Sequence, residues 1–248
     1  MFTLDATPVK FVVLLMLFAW CTLWCSYELT RRQDRAQRVS TIAHLAMAVV
    51  MLLMVAGPTW TALTAVVPTT VLVGVFGVAT AWFVGLAAAG FRAADRRAGW
   101  HFSGHAAMFA AMTWHLAAMA VKAGHGGHGH GGHQHGAVGQ PVETAPWLFA
   151  LVGLPLMAYL LAAAVAAARN LTRRPAVADA DWPAPVGAVA PATLRPAPPV
   201  RGCHEDRAVG SLRYRLGALN DFAMNFGMFW MSTGLLVPIL PFFAAFAF

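Results

Sequence analysis

The chain has 248 residues, of which 59% are hydrophobic and only 11% charged, with a formal net charge of +7 and a pI near 10.2. That balance excludes an ordinary soluble domain, which needs far more charge to cover its surface, and predicts an all-α, polytopic membrane bundle built from apolar runs of about twenty residues. The basic excess is Arg in short loops beside apolar runs, a topology signal and not a nucleic-acid footprint, so no nucleic-acid partner is expected.

The first span is expected over about 11–28, as a retained helix and not a signal peptide, followed by the loop TRRQDRAQR. The second covers about 40–56 and stops at Gly57 and Pro58; the third covers about 67–91 and meets Arg92, Arg96 and Arg97. A fourth, about 99–121, runs into the Gly-His stretch 124–136, and a fifth, about 146–168, carries Pro155 and ends at Arg169. A Pro/Ala-rich segment, 175–212, reads as a disordered loop between the five-helix part, 1–174, and the sixth span, which starts near Tyr214 and extends close to Phe248 within 213–248, with Pro238 and Pro241 interrupting its last third. Every Arg falls in or beside the loops after spans one, three and five, while the other side holds only Lys10 and Lys122. The positive-inside rule then makes the Arg loops cytoplasmic, with both termini and the His-rich loop on the outer face of a bacterial plasma membrane.

One spacing recurs on spans two, four and six: His44, Met47, Met51, Met54; His105, Met108, Met112, His115; and Asp221, Met224, Met228, Met231. Offsets of three, seven and ten at about 100° per residue fall within an arc of roughly 80°, one stripe on one helical face. These spans share a direction, and measured from the Arg anchors His44, His105 and Asp221 differ in depth by only about 3 Å. They are expected to form one polar layer, with three layers of Met beyond it, His115 in the outermost, and Met119 continuing toward the His-rich loop. Met also fills gaps in apolar helical interfaces, and for one helix alone packing is the ordinary reading. Nine of the twelve Met residues on three co-oriented spans, each stripe headed by an ionisable residue within the bilayer, shift the balance toward a ligand set.

Thioether sulfur is soft and selects Cu(I), and imidazole suits copper in either state, so copper is the expected cofactor. His101 lies one turn from His105 on nearly the same face and is a candidate to extend the chain or support its ligands. His125, His128, His130, His133 and His135, spaced mostly by Gly, form a candidate metal-capture loop. Cys21 and Cys25 read as packing, and no CxxC pair, phosphate loop or nucleophile elbow supports an enzyme.

The His-xx-Met-xxx-Met helices, the Gly-His loop and the Ala/Arg-rich composition resemble a group of small, uncharacterised actinobacterial polytopic membrane proteins. In ligand chemistry the stripes also resemble membrane copper-handling proteins, an analogy of sites and not of fold. The leading expectation is a membrane protein that captures copper on the outer face and holds or delivers it, as an accessory subunit of a membrane cuproenzyme or other complex. Two alternatives stand beside it: a haem b electron-transfer protein with axial ligands from His44, His101, His105 and His115, and a purely structural subunit.

Overall fold

The computed structural model describes residues 7–126, 144–173, 211–237 and 240–246. Those residues form seven α-helices and a terminal 3-10 turn: α1 (Pro8–Leu29), α2 (Arg35–Val55), α3 (Gly57–Val66), α4 (Thr69–Arg92), α5 (Arg96–Gly126), α6 (Thr144–Thr172), α7 (Leu212–Leu236) and η1 (Pro241–Phe246). Four of them, α1, α2, α4 and the Phe149–Thr172 part of α6, are long and apolar enough to cross a membrane.

Local chemistry sets most of the boundaries. Asp34 and Gln37 form a reciprocal capping box that starts α2, and Ser211 accepts from the Tyr214 amide at the start of α7. The Asp95 carboxylate caps α5 through the Ala98 amide at 3.0 Å, and Ala94 takes the left-handed conformation (φ 59°) that lets α4 reverse into α5. Gly57 and Pro58 stop α2 as expected but also open α3, because proline is pre-organised for a first helical turn. The intervening loop expected before span three is therefore mostly helix, and the true break is Val67–Pro68. The last span breaks in its last third, as its prolines imply: α7 ends at Leu236, and Pro241 opens a 3-10 turn. Pro155 lies within a continuous α6, and α5 extends to Gly126, into the first residues of the Gly-His stretch.

α1 lies between α2 and α7, α4 packs along α5, and α6 packs along α7; α5 touches α4, α6 and α7. The Met stripes face inward. Met47, Met51, Met54, Met108, Met112, Met224, Met228 and Met231 all belong to one contiguous core with Leu14, Phe18, Phe83 and Phe109, and Met119 packs half-buried against it. By contrast Met16, on α1, is exposed. Beyond the stripes, the buried Lys10 of α1 donates to Thr233 Oγ1 of α7 at 3.0 Å and lies over the Trp230 ring, joining the two helices by a polar contact in apolar surroundings.

Candidate metal centre

The polar layer begins on α2. His44 is buried against Phe83 of α4 and Phe109 of α5, with ring centroids at 5.8 and 5.2 Å. Its Nδ1 lies 2.7 Å from the Ser40 carbonyl one turn back, and its Nε2 lies 3.0 Å from His105 Nδ1. His105 Nε2 in turn lies 3.3 Å from His101 Nε2, one turn back along α5. Three imidazoles therefore run in a chain from the core to a cavity, with successive rings nearly perpendicular at 84° and 86°.

That cavity, about 450 Å³, lies between α5, α6 and α7. His101, His105 and Met108 line it from α5, Tyr159 and Asn170 from α6, and Asp221 and Asn225 from α7. The α6 wall is otherwise alanine, and the small side chains leave the space open. Gly104 serves the same end, since a Cβ there would meet the Tyr159 hydroxyl at 2.8 Å. Asn225 Nδ2 donates to the Asp221 carbonyl at 2.7 Å, which fixes the amide beside the carboxylate.

The expected cluster of His44, His105 and Asp221 is thus rearranged. His44 and His105 do meet, but Asp221 faces the cavity with His105 and His101, and no group of three or more His, Cys, Asp or Glu side chains is arranged to hold a metal ion among the described residues. Two nitrogens on one ion at about 2.0–2.1 Å each are roughly 3.3 Å apart at a tetrahedral angle. Both pairs are within hydrogen-bonding distance, and the His101–His105 pair at 3.3 Å also has the separation that two ligands on one ion require, which the His44–His105 pair at 3.0 Å falls short of. Counting Met108, the cavity presents two imidazoles and a thioether at i, i+4 and i+7 of one helix, with a carboxylate across from them.

The remaining predicted residues separate clearly. His115, expected in the outer Met layer, shares a 2.8 Å hydrogen bond with Ser232 Oγ and ties α5 to α7. Met47, Met51, Met54, Met112, Met224, Met228 and Met231 fill the core between the cavity and the far ends of α2, α5 and α7. The side chain of His125 and all of His128, His130, His133 and His135 lie outside the described residues. At 1.5 Å per residue, the twenty residues of α5 between His105 and His125 put the start of the His-rich stretch about 30 Å from the cavity. Tyr159, Asn170 and Asn225 were missed by sequence reasoning. Asn225, one turn after Asp221 on the same helix, was the available signal.

No curated protein and no solved structure matches the chain. The sequence profile described as "Domain of unknown function (DUF5134)" matches residues 36–233, a stretch that begins with α2, ends in α7 and leaves out α1. The chain belongs to the DUF5134 family.

Proposed function

We propose that the protein is an integral membrane copper-binding protein that holds Cu(I) in the cavity between α5, α6 and α7. The observation that carries this reading is the facing pair His101 Nε2 and His105 Nε2 at 3.3 Å, with Met108 on the same wall and Asp221 opposite. Two neutral imidazoles, a neutral thioether and one carboxylate carry a single negative charge. A monovalent ion leaves that site neutral, whereas a divalent ion leaves a net positive charge in a low-dielectric setting, so the set favours Cu(I) on charge as well as on softness.

In this reading α5 and α7 span the bilayer with the four apolar helices, making six spans. At 31 and 25 residues they are long enough, and their polar residues Asn220, Asn225, His115, Ser232 and Thr233 are buried inside the bundle. The Arg-rich loops lie in the cytoplasm and the His-rich stretch on the outer face. The Met layers then occupy the path between the two, a column of soft donors leading from outer capture to the inner cavity, from which copper is held or delivered to a partner in the same membrane. Haem is disfavoured by spacing, because axial nitrogens on either side of one iron stand roughly 4 Å apart and both His–His pairs here are closer.

The test is metal analysis of protein purified in lipid nanodiscs, with Cu(I) affinity measured against a chromophoric cuprous chelator. Wild-type protein is expected to hold stoichiometric Cu(I) with Zn(II) weaker, and His101→Ala with His105→Ala to abolish the tight site. Replacing Met51, Met112 and Met228 together by Leu should weaken Cu(I) more than Zn(II). Equal copper content in wild type and the double His variant would sink the proposal, and a Soret band would replace copper by haem.

A further inference from the structure

His44 was expected to be a ligand, and its geometry is that of something else. Its Nδ1 faces the Ser40 main-chain carbonyl at 2.7 Å, and a carbonyl only accepts, so this nitrogen carries a proton. The ring sits at 3% exposure between Phe83 and Phe109, where a cationic imidazolium is expensive. A neutral ring with its proton on Nδ1 has a bare Nε2. That bare nitrogen is 3.0 Å from His105 Nδ1, so His105 Nδ1 must be the donor. His105 is then neutral as well, with its own Nε2 bare and directed at His101 in the cavity.

We infer that His44 is a positioning residue: anchored on the Ser40 carbonyl, it fixes the tautomer of His105 so that an unprotonated Nε2 is presented to the cavity. The inference rests on the copper reading for its consequence, though not for its geometry. Metal-binding imidazoles characteristically donate their second N–H to a fixed acceptor, and here the acceptor is another histidine whose polarity is set by a helix backbone. The direction of the chain cannot reverse without placing two lone pairs against each other at Ser40.

His101 stands at the exposed end of the same chain. In the metal-free site its Nε2–H donates to His105 Nε2. For both Nε2 atoms to hold an ion, the His101 proton would have to leave Nε2 and another be taken up at Nδ1, which would keep both rings neutral. His105 needs no such exchange, because His44 has already set it. The cavity therefore combines one pre-set ligand with one adjustable ligand on successive turns of α5.

The experiment uses full-length protein in nanodiscs with 15N-labelled histidine, the His105 signals being assigned by their loss in His105→Ala. In metal-free wild type, His105 Nδ1 should resonate as a protonated nitrogen and Nε2 as a bare one. His44→Gln puts an amide oxygen near the position of Nε2, so it should keep that pattern and keep Cu(I) affinity near wild type. His44→Leu removes the acceptor; His105 should then populate both tautomers, and Cu(I) affinity should fall about 10- to 100-fold. A protonated His105 Nε2 in wild type overturns the inference, and so does a His44→Leu variant with unchanged nitrogen shifts and affinity. If the shifts behave as expected but wild type binds no Cu(I), the copper reading fails and the hydrogen-bonded lock stands.

Discussion

Asp221 and His115 were assigned similar roles by spacing, and packing separates them. Asp221 lines the cavity beside both candidate imidazoles and supplies its negative charge, whereas His115 is buried at 3% exposure with its Nδ1 committed to Ser232. Asp221→Asn should therefore lower Cu(I) affinity by about 10-fold or more with little loss of fold, since the charge that neutralises the ion is removed and the shape is kept. His115→Ala should do the reverse. It leaves the Ser232 hydroxyl without that partner in the core and should cost about 1–3 kcal/mol of stability, with Cu(I) affinity retained. Chelator competition and thermal unfolding on the two variants check both halves. The stripe periodicity could place Asp221 and His115 on inward faces but could not say which met a cavity, because that depends on what the neighbouring helix offers. Alanine on α6 leaves room for Asp221, and Ser232 on α7 meets His115.

At the scale of the element, glycine controls how closely α5 is held on each side. Gly90 of α4 faces Gly99 of α5 so closely that a Cβ on Gly90 would lie 2.8 Å from the Gly99 backbone nitrogen, and backbone cannot rotate aside. Gly104, a turn and a half farther along α5, faces only the Tyr159 hydroxyl at the far end of a side chain. Gly90→Ala should thus force α4 and α5 apart and destabilise the bundle by about 1–3 kcal/mol, while Gly104→Ala should leave stability nearly unchanged and displace Tyr159 within the cavity. Denaturation midpoints together with Cu(I) affinity distinguish the two: the first variant moves stability most, the second affinity. Helix positions were legible because apolar runs, Arg anchors and caps such as Asp34 are local signals. α3 was missed because Gly-Pro is both a stop and a start, and its second meaning depends on an apolar turn, Trp60 to Val66, long enough to bury Trp60 against the core.

For the whole molecule, the proposed six spans predict that single cysteines at positions 33 and 94, placed in a background without Cys21, Cys25 and Cys203, react with an impermeant maleimide only from the cytoplasmic side, and a cysteine at position 139 only from outside. Labelling of intact cells against inverted vesicles checks it, and reaction of all three from one side would overturn the topology. The sequence by itself determined the helical class and the inward phase of three Met stripes, because periodicity and hydrophobic length act along the chain. Only the tertiary structure decided which of the polar residues at the head of those stripes share a space. His44 of α2 and His101 of α5 both lie within reach of His105, yet one is sealed among Phe83 and Phe109 and the other opens on the α5–α6–α7 cavity. That choice is made by the rotation of each helix against its neighbours, and the rotation is set by side chains far apart in sequence: phenylalanine on α4 and α5, alanine on α6.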